Sequence, residues 1–320
     1  MKQVRIGGQA VLEGIMMRGP ASYSLAVRKS DGEIAVDVTP YRSFGERKKL
    51  NKIPIVRGVV NFVESLYIGI KTLMNSSEYF AEDEEGQEEQ EENAGSSEKK
   101  EKKEEKEDGG KGYLVVTLII SLAFAIGLFV LLPSFLAGLL LKVTEYQWVA
   151  NLTEGILRLL IFIVYIALIS KMEDIKRTFM YHGAEHKTIN CLEAGDDLTP
   201  ENVLKHTRFH KRCGTSFVFI VMIISIIVFM FVRTDVMWLR LVSRILLIPV
   251  IAGLSYEVLQ YAGRHENACS RILSAPGLWV QRLTTKEPDI SMAEVAIRAV
   301  EEVIDVQEYL ECVRNHSFEK

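Results

Sequence analysis

The sequence predicts a mainly α-helical, polytopic membrane protein of about four transmembrane helices, with a small β-hairpin region at its N-terminus. Three observations predict it: four long apolar runs, a dense acidic segment that divides the chain, and alternating apolar residues on both sides of an Asp-Gly pair.

Residues 113–132 pass without a charge, enough for a helix to cross a hydrocarbon layer about 30 Å thick. Pro133 is expected to end or kink that helix. Further apolar runs lie at 155–170, 215–232 and 241–256, giving a membrane region over 113–265. Arg158 sits near the start of the second run and Arg244 one turn into the fourth, so both are expected to snorkel toward head groups; for Arg244 a buried ion pair is the alternative. Lysine and arginine mark the cytosolic side: the histidine-rich loop 171–214 holds eight, whereas the connections 142–154 and 233–240 hold one and two. The regions before the first run and after the fourth are basic too. The expectation is a multi-pass protein of the cell membrane with both termini cytosolic.

Between positions 82 and 111 lie 14 acidic and 6 basic residues with almost nothing apolar, so 81–112 is expected to be a disordered linker. Setting that stretch aside leaves 32 basic against 28 acidic residues, a formal net charge of +4 in place of −4. Mild positive charge suits an anionic leaflet, so membrane lipids are expected partners. A nucleic-acid partner is set aside, because no dense basic stripe is present. The four cysteines form no CxxC pair, which argues against a disulfide framework. Lys2 and Arg5 precede an apolar run that Glu13 and Arg18 interrupt, so the N-terminus reads as mature chain rather than a cleaved signal.

In the N-terminal region, 1–52, Tyr23, Leu25 and Val27 alternate on one side of Asp31-Gly32 and Ile34, Val36 and Val38 on the other, a hairpin pattern. The opening "GGQAVLEGIMMRGP" lacks the lysine and spacing of a P-loop and reads as tight-turn structure that lets backbone approach backbone. Region 53–80 is expected to be a membrane-associated amphipathic helix; for 53–74 a fifth span is the alternative. In the tail, 266–320, "SAPGLWVQRLTTKEP" reads as an interfacial segment. Ser291 and Glu294 then stand in capping-box spacing before a helix to Val313, with Val295, Ala299, Val303, Ile304 and Leu310 at helical intervals. That face is expected to pack on something, a protein partner included.

The chemistry-bearing residues concentrate beside the apolar runs. His182, Glu185 and His186 are three and one positions apart, the H-x-x-E-H spacing that puts two imidazoles and a carboxylate on one helical face. In the inverted zincins this pattern supplies two metal ligands and a general base. His182 and His186 are thus candidate ligands for a divalent metal such as zinc, and Glu185 is the candidate catalytic base. Thr199-Pro200 is expected to start a helix that carries His206, His210 and Cys213 on one face. Glu257, Tyr261 and His265 share a face at the end of the fourth run. His206, His210 or Glu257 would complete the coordination, with Cys191 and Glu193 as further candidates.

Four runs, "GGQAVLEGIMMRGP", "YHGAEHKTINCLEAG", "RFHKRCGTSF" and "PGLWVQRLTTKEPD", together resemble the bacterial YqhQ-like membrane proteins, a domain of unknown function. The resemblance implies a metal-dependent membrane protein without an established substrate, whose motif histidines fall on His182, His186, His206 and His210. The functional expectation is a metal-dependent hydrolase at the cytosolic membrane face. The alternative is a non-catalytic scaffold that binds lipid or a partner. Transport is a third reading, although no run carries an obvious coupling carboxylate at its centre.

Overall fold

The computed structural model describes residues 6–47, 50–92, 116–117, 119–140, 146–232 and 237–315. Its four-stranded antiparallel meander comprises β1 (Gly7–Val11), β2 (Gly14–Arg18), β3 (Ser22–Arg28) and β4 (Ile34–Pro40), hydrogen-bonded in that order. The expected hairpin is β3–β4, in which Val27 pairs with Ala35 and Tyr23 with Thr39. Gly32 takes φ +90° and Asp31 Oδ1 accepts the Glu33 N–H at 2.8 Å. The glycine-rich opening is a second hairpin, β1–β2. Its turn holds Glu13 at φ +45°, and the Glu13 carboxylate is clasped by Arg177 and the Tyr181 hydroxyl.

Among the described residues, the helices longer than a single turn are α1 (Val56–Glu92), α2 (Ile119–Leu139), α3 (Gln147–Ile169), α4 (Glu173–Ala194), α5 (Pro200–Lys205), α6 (Gly214–Phe231), α7 (Met237–Arg264), α8 (Ala268–Thr284), α9 (Ile290–Glu301) and α10 (Val306–Arg314). Four of them, α2, α3, α6 and the 242–264 part of α7, are long and apolar enough to cross a membrane. α1 continues to Glu92, into the acidic segment, because a helix already anchored by its first turns extends readily through glutamates and glutamines. The rest of the expected linker, 93–112, lies outside the described residues.

Strands β2 and β3 are buried on both faces. One face packs Val11, Met16, Tyr23, Leu25 and Val27 against Ile68 of α1. The other packs Ile15, Met17 and Ala26 against Tyr181 and Leu192 of α4 and Val295 and Ala299 of α9. The apolar face of the tail therefore packs on the chain's own sheet. The single tail helix expected from 292 to 313 is two helices: Asp289 caps α9 through the Met292 N–H, and Asp305 caps α10 through the Glu308 N–H. Two strong N-cap side chains sixteen positions apart start two helices.

Pro133 neither ends nor breaks α2. A π-turn over Gly127–Leu131 absorbs it, and Arg158 Nε donates to the Phe129 carbonyl at 2.9 Å, the group a proline at 133 leaves without its i+4 N–H. Neither arginine snorkels. Glu154 Oε1 accepts from Arg158 at 2.8 Å, its two oxygens accept from Arg244 at 2.5 and 2.7 Å, and Ser134 donates to it at 2.8 Å. A buried carboxylate offers these guanidinium groups a partner inside the bundle, so reaching for water gains nothing.

Candidate metal centre

α4 leaves α3 after a three-residue turn and runs beneath β1, with Tyr181 to Ile189 buried. Gly183 permits this depth: a Cβ there would collide with the Lys286 carbonyl, and the Lys286 N–H donates to the Phe179 carbonyl at 2.8 Å. Gly195, at φ +81°, ends the helix as its left-handed cap.

Thr199 caps α5, whose first residue is Pro200, as the sequence predicts, but the helix stops at Lys205. The segment 206–213 is not helical, so His206, His210 and Cys213 do not share a helical face. Polar side chains of α4 take up its carbonyls instead. Lys187 Nζ donates to the Leu204 and His206 carbonyls at 2.9 and 2.8 Å, Asn190 to Thr207 at 2.7 Å, and His186 Nδ1 to Arg208 at 2.7 Å. Gln281 of α8, fully buried, holds the next stretch by bonding the His210 N–H at 2.9 Å, the His210 carbonyl at 2.8 Å and Ser216 Oγ at 2.8 Å. The segment is thereby pressed onto α4, and Cys213, the N-cap of α6, arrives above the two histidines.

His182, His186 and Cys213 each offer a ligand atom, all within 4.8 Å of one another. His182 Nε2 lies 3.2 Å from Cys213 Sγ, and the two imidazole centroids are 4.4 Å apart. Both Nδ1 atoms are committed to backbone carbonyls, His182 to Thr284 at 2.8 Å and His186 to Arg208 at 2.7 Å. A carbonyl only accepts, so each Nδ1 carries a proton, and Nε2 is the ring atom each histidine has left for a further partner. Burial works against charge on His182, but Cys213, Glu185 and the Thr284 carbonyl outweigh it and push its pKa up to about 9. Burial also raises the Cys213 thiol, yet the two imidazoles overcome this and hold it well below its usual range.

Glu185 is buried beside this group, close enough to pull on both His182 and His210. A Cβ on Gly8 would stand 2.9 Å from its Cγ and Cδ, so the glycine-rich opening yields space to the side chain of Glu185. The His210 ring lies 5.7 Å from that of His186, with burial pushing its pKa down, and its Nε2 faces Glu193 at 3.6 Å. His206 and Glu257 stand apart. His206 Nε2 pairs with Asp196 at 2.9 Å, and Glu257 is held by Arg57 and the Ile55 N–H where α1 meets α7. Cys191 packs against Val203 and Ala293 as a small apolar side chain, its thiol pushed up to about 11 by burial and by Asp196 and Asp197. His265 stacks on Tyr261.

Sequence spacing thus locates His182, Glu185 and His186, and misses Cys213 as their companion. The available signal was a cysteine standing directly before an apolar helix, where the N-terminal end of the helix favours a thiolate.

Residues 53–306 match the family described as a protein of unknown function, DUF1385, a span that includes every residue of the cluster. The chain is 37% identical over 304 residues to the uncharacterized protein YqhQ of Bacillus subtilis (strain 168), covering 94% of this chain and 92% of that one. No solved structure matches it significantly. The family match over 53–306 together with 37% identity over 94% of the chain places this chain in the DUF1385 family of YqhQ-like proteins.

Proposed function

We propose that the chain is a metal-dependent membrane hydrolase that works at the cytosolic face, with His182, His186 and Cys213 as ligands and Glu185 as general base. One observation carries the reading: two buried imidazoles, each with Nδ1 spent on a backbone carbonyl, stand with one buried sulfur so that all three ligand atoms lie within 4.8 Å of one another. Ligand atoms around a four-coordinate ion stand about 3–4 Å apart, and this group needs little movement to meet that spacing. Two nitrogens and a thiolate suit zinc, which would supply Lewis acidity and lower the pKa of a bound water. Glu185 would hold the proton taken from that water, and Gly8 leaves room for its carboxylate to stay beside the ligands. The excess of lysine and arginine over 171–214 supports a cytosolic position for this end.

Metal content of the purified full-length protein in lipid nanodiscs tests the proposal. Close to one equivalent of zinc is expected in the wild type, retained by Glu185→Gln and lost by His182→Ala, His186→Ala and Cys213→Ser. A wild-type protein that stays metal-free after zinc loading and desalting sinks it.

A further inference from the structure

α1 carries six large apolar side chains that the described residues leave largely uncovered. Val63, Leu66, Tyr67, Ile70, Leu73 and Met74 are between 45% and 69% exposed, and their spacing gathers them on one stripe about 120° wide. The opposite face is occupied: Ile68 sits in the sheet core, Thr72 and Ser76 are buried, and Gly69 lies against the Gln9 side chain. Past Met74 the helix turns polar and acidic, so the stripe has a definite end.

The course of α1 indicates what covers the stripe. At its start, Ile55 and Gly58 seat on Gly253 of α7, with Ile55 at φ +67° and Gly58 too close to Gly253 for any Cβ. Arg57 pairs with Glu257, and Asn61 donates to the Tyr256 hydroxyl at 3.0 Å, at the last apolar turn of that span. One turn later Phe62 packs on Phe217, in the first turn of α6, with ring centroids 5.4 Å apart. α1 thus passes from one spanning helix to another within about 6 Å of its own length and then runs beneath the sheet. A fifth span would follow one neighbour; α1 crosses two. Gly253 and Tyr256 lie toward the end of α7 and Phe217 toward the start of α6, so α1 meets both spanning helices at the same end of the bundle.

We propose that α1 is a monotopic element whose stripe at 63–74 is embedded in the leaflet on the sheet side of the bundle, lying in the plane of the membrane. The occupant is the acyl and head-group boundary of that leaflet, about 5–10 Å below its surface. Lys71, at the edge of the stripe, reaches from there to the phosphates. The inference rests on the spanning helices and not on the metal reading, so either can fail without the other.

Site-directed spin labelling in phosphatidylcholine–phosphatidylglycerol vesicles tests it, on the full chain with the exposed Cys269 replaced by serine. Leu66→Cys, Ile70→Cys and Met74→Cys should give nitroxides relaxed several-fold more by oxygen than by a water-soluble nickel chelate, at similar depths. Ser65→Cys, exposed on the opposite side of the helix, should show the reverse. Equal access of the chelate to 66 and 65 would overturn the proposal. So would a depth that changes by about 1.5 Å per residue along the helix, the signature of a span. Spin–spin broadening at 66 and 70 that survives lipid dilution would assign the stripe to a second copy of the chain and overturn it too.

Discussion

Single residues decide whether the cluster near His182 exists. Lys187 is buried, donates to the carbonyls of Leu204 and His206 and pairs with Glu287 at 2.9 Å, and it draws the 206–213 segment onto α4. Gly8 acts from outside the cluster. Its missing side chain is the space in which Glu185 lies, and a Cβ would also stand 2.8 Å from the Met16 carbonyl across the β1–β2 pair. Gly8→Ala is expected to cost about 1–3 kcal/mol through overpacking. Because it displaces the carboxylate and not the ligands, zinc stoichiometry should remain near one equivalent while the melting temperature falls. Loss of zinc together with Glu185 displacement would show that the carboxylate is part of the ligand set. The H-x-x-E-H spacing was readable because it is local. Cys213 lies 27 positions beyond His186, and its approach depends on which side chains take up the intervening carbonyls.

At the scale of elements, the bundle is held by a polar clasp. Glu154 of α3 ties together α2 through Ser134, α3 through Arg158 and α7 through Arg244, while the π-turn in α2 presents the Phe129 carbonyl to Arg158. Removing the carboxylate leaves two guanidinium groups buried without their counter-charge. Glu154→Gln is expected to destabilise the protein by about 3–5 kcal/mol, read as a lower unfolding temperature in detergent. Combining it with Arg244→Met should recover part of that loss, since the two changes remove interacting charges. Additive losses would mean that the pair is not coupled. Apolar runs declare spanning helices, yet whether an arginine within one snorkels or pairs depends on a carboxylate 90 positions away in sequence. The same holds for the tail, where the apolar spacing of Val295 and Ala299 announces an amphipathic helix without naming the sheet face that receives it.

For the whole molecule, the sheet, α4, α9 and α10 form one body at the end of the bundle where α6 starts and α7 ends. The excess of lysine and arginine over 171–214 leads us to expect this end in the cytosol. Fusions at each terminus test the assignment: a fluorescent protein should be bright and alkaline phosphatase inactive at both ends, and an active phosphatase at either end would reverse it. Four apolar helices, the acidic division of the chain, the β3–β4 hairpin and the H-x-x-E-H face follow from composition, periodicity and turn chemistry, all sums over near neighbours. The rest comes from contacts between distant segments: burial of both sheet faces, the end of α5 at Lys205, pairing of Arg244 with Glu154, separation of His206 and Glu257 from the cluster, and arrival of Cys213. Such contacts are selected by how buried carbonyls and charges find partners across the fold, and no local pattern encodes that choice.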